Sequence, residues 1–254
     1  MTGADRIQKV LSHAGVASRR EAERLLAEGR IRINGEVVRR LGTKVAPGDR
    51  LEVDGRRVRA PLAFHYLLMN KPRQAVTTRS DPQGRRTVMD LLPPLPVRVF
   101  PVGRLDYASE GLLLFTNDGD LAQALMRPAG HVTKTYRVKV RGLPEAATLE
   151  RLRRPFRLEG RPTQPAEVRL QRAERNAQLI VSIAEGRRNQ VREMLRRVGH
   201  PVMRLRRIAY GPLTDERLRT GAVRALRPAE IDRLRKAVGA PVVRPSTRPS
   251  RRPA

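Results

Sequence analysis

The sequence predicts an α+β protein with two domains, a smaller one first and a larger one after it. Two helical patterns followed by short strands occupy residues 1–59, whereas longer apolar strands recur between residues 64 and 236. A chain of 254 residues can bury a sizeable core, and two domains are more common than one at this length. We therefore expect a small α/β module at 1–59, a linker at 60–63 and a larger domain at 64–236.

The composition restricts the partners that the chain can have. Its net charge of +28 indicates a polyanionic partner, of which nucleic acid is the commonest. Cysteine is absent, which excludes disulfides, thiolate metal ligands and cysteine nucleophiles and fits a reducing cytoplasm. The start lacks an apolar signal core, and no apolar run approaches the roughly 20 residues that span a bilayer. We expect a soluble, cytoplasmic protein without a membrane partner.

The first domain has the pattern of two helices followed by a hairpin. Apolar residues recur at helical spacing over residues 7–14, and Gly15 suits the position that follows a helix. Residues 18–21 have the sequence of a capping box, which would open a second helix. The dipeptide Asn34-Gly35 is a strong signal for a hairpin turn.

The larger domain has the apolar runs of a sheet. Tyr136, Val138 and Val140 would share one strand face, so on periodicity alone Tyr136 is a core residue. Residues 87–92 are expected to form a short helix that ends before the two prolines at 93–94. The predicted strands lie at 64–69, 112–116, 133–140 and 179–183.

Residues 103–120 form the most informative stretch of the larger domain. A polar loop that carries Asp106 directly precedes an apolar strand, a tight turn and a helical pattern. Such a unit can hold a loop carboxylate rigidly against a sheet. The residues alone leave two interpretations of Asp106: a turn residue paired with Arg104, or a functional carboxylate.

The whole of residues 103–120 strongly resembles the central motif of the RsuA/RluB-type ribosomal RNA pseudouridine synthases, which implies a mixed-sheet catalytic domain. On this resemblance Asp106 occupies the position of the catalytic aspartate. Tyr136, in Lys134-Thr135-Tyr136, occupies that of the tyrosine that stacks on the target base. Arg192, in Gln190-Val191-Arg192, occupies that of the arginine that pairs with the aspartate.

A second resemblance covers about residues 5–58, where residues 6–11 and 18–22 look like the RNA-binding module of the ribosomal protein S-four type. Modules of this type recognise the shape and phosphates of RNA more than its sequence. Residues 237–254, rich in Pro and Arg, are expected to form a disordered basic tail that adds affinity for RNA. The residues expected to contact RNA are Lys9, Arg19, Arg20, Arg24 and Arg32 in the module and Lys71, Arg104, Lys134, Arg187 and Arg188 in the larger domain.

The resemblances imply a monomeric enzyme that isomerises a specific uridine of ribosomal RNA, or of a ribosomal precursor subunit, to pseudouridine without a cofactor. Residues 81–85 and 87–90 look more like the large-subunit branch than the small-subunit branch of the family. No metal is indicated, because the four histidines lack ligand spacing, and neither a Walker loop nor Gly-x-Gly-x-x-Gly is present.

Two alternatives remain open: a synthase for small-subunit RNA, and a non-catalytic RNA-binding ribosome assembly factor. Residues 5–58 and the tail would suffice for the assembly factor. The joint presence of Asp106, Tyr136 and Arg192 favours the enzyme, since a binding protein has no use for a paired carboxylate that faces RNA.

Overall fold

The computed structural model describes residues 4–58, 63–127 and 132–240. By their contacts the residues divide into two compact units, of which the smaller comprises Met1–His65, Pro94–Phe100 and Thr116–Gly119. The smaller unit thus takes in two segments that the sequence assigned to the larger domain. The side chain of Asn117 provides one reason: it accepts a hydrogen bond from the His65 amide (2.7 Å) and donates one to the Ala63 carbonyl (3.0 Å).

The N-terminal part of the smaller unit packs two helices against short antiparallel strands. Its core contains Ile7, Leu11, Leu26 and Ile31, all fully buried. Strand β2 pairs with β3 and β5, and β5 pairs with β6. The elements are α1 (Ile7–His13), α2 (Arg19–Ala27), β1 (Asp5–Arg6), β2 (Ile31–Ile33), β3 (Glu36–Val38), β4 (Lys44–Val45), β5 (Leu51–Val53) and β6 (Arg56–Arg57).

Local signals placed these elements correctly, with one difference at the second helix. The Asn34-Gly35 turn joins β2 to β3, and both residues have the positive φ that such a turn requires. The hydroxyl of Ser18 accepts a hydrogen bond from the Glu21 amide at 3.2 Å, so Ser18 caps α2 as predicted. The Glu21 carboxylate pairs with Arg24 instead of returning to the cap, so only half of the predicted capping box forms.

The larger unit is built on a nine-stranded sheet in the order β13-β14-β10-β15-β9-β7-β17, with β16 paired to β15 and β8 to β9. Strands β9 and β15 run parallel, whereas β10 runs antiparallel to both β14 and β15, so the sheet is mixed as predicted. The strands are β7 (Tyr66–Lys71), β8 (Phe100–Val102), β9 (Glu110–Thr116), β10 (Lys134–Val140), β11 (Arg157–Leu158), β12 (Arg161–Pro162), β13 (Glu167–Ala173), β14 (Ala177–Ile183), β15 (Val202–Tyr210), β16 (Leu213–Thr214) and β17 (Val223–Ala225).

Four helices follow or flank this sheet: α3 (Gly119–Met126), α4 (Ala146–Arg153), α5 (Gln190–Arg197) and α6 (Pro228–Ala237). None of the helices within the described ranges is long and apolar enough to cross a bilayer. Helix α6 includes Ala237, and of the predicted tail at 237–254 only residues 237–240 are described. The predicted linker likewise lies outside the described residues, except for Ala63.

Strand periodicity explains how the central strands are buried. Strands β7 and β9 are buried at every position, as expected for strands covered on both faces. On β10, the alternating residues Lys134, Tyr136, Val138 and Val140 are buried, as the period-two pattern predicted for the last three.

The short helix predicted at 87–92 is wrong. Thr87 forms an isolated bridge with Val76, and turns follow it. The Asp90 carboxylate accepts a hydrogen bond from the Thr87 amide at 2.8 Å, and the Thr87 hydroxyl accepts one from the Met89 amide at 3.2 Å. These side-chain bonds take the place of helical backbone bonds, which is how Asp and Thr compete with helix formation.

Candidate active site

A cavity of about 730 Å³ lies in the larger unit, a size typical of small-molecule sites. Its wall combines the loop between β8 and β9, residues of β10 and β15, and the loop that leads from β14 into α5. Asp106 and Tyr136 both lie on this wall, so the fold brings together two of the three residues predicted to be catalytic.

The backbone of the Asp106 loop is held from several sides. The Ser109 amide donates to the Asp106 carbonyl at 2.9 Å and closes a turn. The Thr77 hydroxyl donates to the Leu105 carbonyl at 2.6 Å, and the Gln74 amide donates to the Tyr107 carbonyl at 2.8 Å. The loop is therefore rigid where the carboxylate is attached.

Lys71 provides a further restraint on the Asp106 loop. Its side chain is 0 % exposed, and its ammonium donates to the carbonyls of Pro72 (3.0 Å), Asp106 (3.2 Å) and Ser109 (2.9 Å). Burial lowers the pKa of Lys71 to about 8, against the opposing effect of the Asp106 carboxylate. The prediction that Lys71 contacts RNA is wrong, because all its donors are used beneath the loop.

The Asp106 carboxylate is half-buried and makes no hydrogen bond or ion pair with any residue in the described part of the chain. In particular, the exposed Arg104 does not pair with it. The first interpretation of Asp106, as a turn residue neutralised by Arg104, therefore does not describe the structure. The carboxylate is left available to a molecule in the cavity.

Arg192, from α5, lies next to the same loop but does not close the predicted ion pair. Its guanidinium donates to the Ala108 carbonyl at 3.3 Å and to the Ser109 hydroxyl at 3.2 Å. Burial lowers the pKa of Arg192, and the nearby Asp106 carboxylate partly offsets this effect. Arg192 thus interacts with Asp106 through space and holds the two residues that precede β9.

Tyr136 is 8 % exposed, and its β10 position is paired with Val181 on one side and Arg207 on the other. It belongs both to the buried face of the strand and to the cavity wall. The core position predicted from periodicity and the base-stacking position implied by resemblance are therefore compatible.

The sequence did not single out Arg207 and Tyr210, which also lie on the cavity wall. Arg207 is 3 % exposed, and its guanidinium carbon lies 5.1 Å from the centre of the Tyr210 ring. Lys134, which is 9 % exposed, places its ammonium 5.8 Å from the same ring. The available signal was the register of β15, in which Arg207 follows Leu205 on the buried face.

The remaining predicted RNA contacts fall into two groups. Arg187 lines the cavity and is partly exposed, and its guanidinium bonds the carbonyls of Leu158, Arg161 and Pro162 and the Glu185 carboxylate, which ties it to the β11–β12 hairpin; its contact with RNA stays a prediction. Arg104 and Arg188, by contrast, are exposed at the cavity. Of the contacts predicted in the module, Arg19, Arg20, Arg24 and Arg32 are exposed, whereas Lys9 is partly buried and pairs with Asp5.

Comparison with known protein families agrees with this architecture. Residues 65–197 match the RNA pseudouridylate synthase family, and residues 5–51 match the S4 domain. The chain therefore belongs to the RNA pseudouridylate synthase family, which confirms the class of enzyme and the RNA-binding module predicted from the sequence.

The chain is similar to the ribosomal large subunit pseudouridine synthase B of Bacillus subtilis, with 44 % identity over 91 % of this chain and 96 % of the relative. It is also similar to an uncharacterised RNA pseudouridine synthase of Aquifex aeolicus, with 46 % identity over 92 % of this chain and 95 % of that protein. Among solved structures, a pseudouridylate synthase matches with a TM-score of 0.66 and 27 % identity, over 90 % of this chain and 99 % of that one.

Proposed function

We propose that the protein isomerises a uridine of large-subunit ribosomal RNA to pseudouridine, with Asp106 as the catalytic carboxylate. The observation that supports this most directly is a half-buried carboxylate that makes no hydrogen bond or ion pair among the described residues, on a hydrogen-bonded loop in a cavity of about 730 Å³ whose wall also carries the ring of Tyr136. The name of the Bacillus subtilis relative supports the large ribosomal subunit as the source of the substrate.

The target uridine has to leave its stack to reach Asp106, which costs a few kcal/mol. Stacking a base on an aromatic side chain contributes about 1–3 kcal/mol, so a stack on Tyr136 would offset much of that cost. Asp106 is then the group placed to attack, since a carboxylate can act as a nucleophile and can stabilise positive charge. Arg192 would act as a positioning residue, because it holds the carbonyl of Ala108 and the hydroxyl of Ser109.

The exposed arginines are suited to the phosphate backbone of the same RNA. Guanidinium groups bind phosphates through two donors in a fixed plane. We assign this role to Arg104 and Arg188 at the cavity and to the exposed cations of the module. RNA affinity should then fall steeply with salt, as expected when several phosphates are neutralised. On this proposal the protein acts as a monomer in the cytoplasm, on ribosomal RNA or a precursor subunit.

The decisive experiment measures tritium release from ribosomal RNA that carries uridine tritiated at carbon 5, for the wild type and for Asp106→Asn. We expect the variant to lose activity by at least about 100-fold while it keeps its affinity for RNA. Asp232→Asn is the matched control, because Asp232 is exposed on α6 and does not line the cavity. Equal rates for the wild type and Asp106→Asn would refute the role of Asp106.

Mapping the modified nucleotide distinguishes the subunits. Pseudouridine in small-subunit RNA alone would overturn the large-subunit assignment but not the reaction. If the wild type releases no tritium from naked RNA or from precursor subunits, the alternative of a non-catalytic assembly factor replaces the proposal.

A further inference from the structure

Two cations on the cavity wall are buried but only partly used for hydrogen bonding. Arg207 donates from its Nε to the Leu112 carbonyl at 2.6 Å, yet neither of its terminal nitrogens has a hydrogen bond among the described residues. One of these nitrogens is wholly shielded from solvent. The Lys134 ammonium makes one long hydrogen bond within the described part of the chain, 3.4 Å to the Ala184 carbonyl.

Buried cations normally have opposite charges or full sets of acceptors, because removal from water is otherwise costly. Here Lys134 instead lies near a second cation, Arg207, which adds to the electrostatic cost of burying its charge. Burial and the charge of Arg207 lower the pKa of Lys134 to about 8. Among the described residues, no carboxylate lies within 4.0 Å of either one, and the buried carboxylate of Glu110 is taken by Arg204 at 2.6 Å. The cavity wall therefore carries two neighbouring cations that form no ion pair with any carboxylate of the described residues.

The ring of Tyr210 lies beside both cations, and Tyr136 lies on the same cavity wall. This combination suits a flat, anionic ring better than a phosphate, because a phosphate has no face to stack. Arg104 and Arg188, which are exposed at the cavity, are better suited to the phosphates of the RNA chain. The two cations and the aromatic rings beside them thus match an aromatic anion in both charge and shape.

We propose that Lys134 and Arg207 bind the negative charge that develops on the uracil ring during isomerisation. This inference rests on the proposed function. If the Asp106 carboxylate attacks C1′, the N1–C1′ bond breaks, its electron pair stays on N1, and the charge spreads to O2 and O4. If the carboxylate instead attacks C6, the electron pair of the C5–C6 double bond moves onto O4. In the first case C5 then attacks C1′ and displaces the Asp106 carboxylate. In the second case the N1–C1′ bond breaks with its electron pair on N1, C5 bonds to C1′, and the carboxylate leaves C6. In both cases C5 loses its proton and N1 gains one, so the product base is neutral and the carboxylate is free again.

The first test uses 5-nitrouracil, whose nitro group makes the free base an anion at neutral pH, with uracil as the neutral analogue. Isothermal titration of the full-length protein should show that the wild type prefers 5-nitrouracil. Lys134→Met and Arg207→Gln should each reduce this preference by about tenfold or more, the worth of a hydrogen bond to a charged group. Lys134→Arg should retain it, because the positive charge is restored.

The matched controls are Lys139→Met, an exposed lysine on β10, and Arg206→Gln, the neighbour of Arg207 on β15 that does not line this cavity. Both should bind like the wild type. If the wild type shows no preference for the anion, or if Lys134→Met and Arg207→Gln, shown by their melting temperatures to be folded, keep it, the proposal is wrong. Displacement of 5-nitrouracil by an equal concentration of inorganic phosphate would identify a phosphate site instead and would also refute it.

The second test asks whether the two cations act in the chemical step. It also distinguishes failure of this inference from failure of the proposed function. On ribosomal RNA, Lys134→Met should lower kcat more than it raises KM, because the charge develops only after binding. A change confined to KM would contradict the inference. A wild type that binds 5-nitrouracil selectively but does not isomerise uridine would refute the proposed function and leave the anion-binding pair in place.

Discussion

Replacing Lys71 by methionine tests whether its buried ammonium builds the active site. The substitution keeps most of the side-chain volume and removes all three hydrogen bonds to the carbonyls of Pro72, Asp106 and Ser109. Hydrogen bonds from a charged donor contribute about 1.5–3 kcal/mol each. Against this, the desolvation that lowers the pKa from 10.5 to about 8 corresponds to about 3 kcal/mol. We expect a net loss in the free energy of unfolding of about 1.5–6 kcal/mol.

The measurement is urea denaturation of Lys71→Met and the wild type, followed by tritium release at a temperature where both are folded. Activity should fall even in the folded variant, because the Asp106 loop loses its internal support. Lys139→Met, which removes an exposed lysine from β10, serves as the control and should change neither quantity. A Lys71→Met protein with wild-type stability and wild-type activity would show that these three bonds do not hold the loop.

Three further changes follow from the same contacts. Arg192→Ala should cost about 1–3 kcal/mol of stability, as two hydrogen bonds are lost without a closed ion pair, and should lower kcat. Gly111→Ala should lower stability by at least about 2 kcal/mol, since φ is +110° and the new Cβ would lie 2.2 Å from the Arg207 carbonyl oxygen. As pH rises through about 8, Lys71 and Lys134 lose their protons and activity should fall.

As pH rises above about 8, we expect activity to fall, whereas the contribution of the two lysines to stability should rise. The pKa of each lysine is lower in the folded protein than the 10.5 of the free side chain, so the unfolded chain binds more protons between about pH 8 and 10.5. The contribution of these lysines to stability therefore increases with pH over that range, while the charge of Lys71 beneath the Asp106 loop and that of Lys134 at the cavity are lost. Parallel denaturation and rate measurements across this range check both signs, and a parallel fall of both quantities would contradict the assignment.

Thermal melting and tritium release check the two substitutions. Gly186→Ala is the control for Gly111→Ala in thermal melting only, because a Cβ at Gly186 meets no atom within 4 Å, whereas Gly186 itself lines the cavity and could affect activity. An Arg192→Ala protein that melts like the wild type and retains full kcat would show that Arg192 does not support the Asp106 loop. A Gly111→Ala protein of unchanged stability would mean that β9 and β15 can separate at little cost.

Periodicity and turn chemistry were sufficient to predict the elements that depend on neighbouring residues. The alternation along β10 placed Tyr136 on the buried face, and Asn34-Gly35 fixed the first hairpin. The length of the motif around Asp106 identified the family. Thr87 shows the limit of such reasoning, since its hydroxyl and the Asp90 carboxylate replaced the expected helix by turns.

The functions of individual cations could not be predicted, because charge alone does not reveal what surrounds a side chain. Lys71 and Arg187 were expected to face RNA, yet their partners are backbone carbonyls supplied by chain segments distant in sequence, such as 106–109 for Lys71 and 158–162 for Arg187. No role was predicted for Arg207, because it lies in a strand that contains several arginines. Only the register against β9 and β10 shows that it is the one turned into the cavity wall.

The order of the strands has a consequence for how the enzyme is made. Strand β17 pairs with β7, and β15 lies between β9 and β10, so the central sheet joins segments from both ends of the larger domain. A nascent chain that ends at β10 contains Asp106 and Tyr136. It lacks β15, so the edges of β9 and β10 that pair with β15 in the finished sheet remain unpaired. Such long-range pairing slows folding and keeps sheet edges exposed during synthesis. The sheet that carries Asp106 and Tyr136 can therefore be completed only after residues 202–225 have left the ribosome.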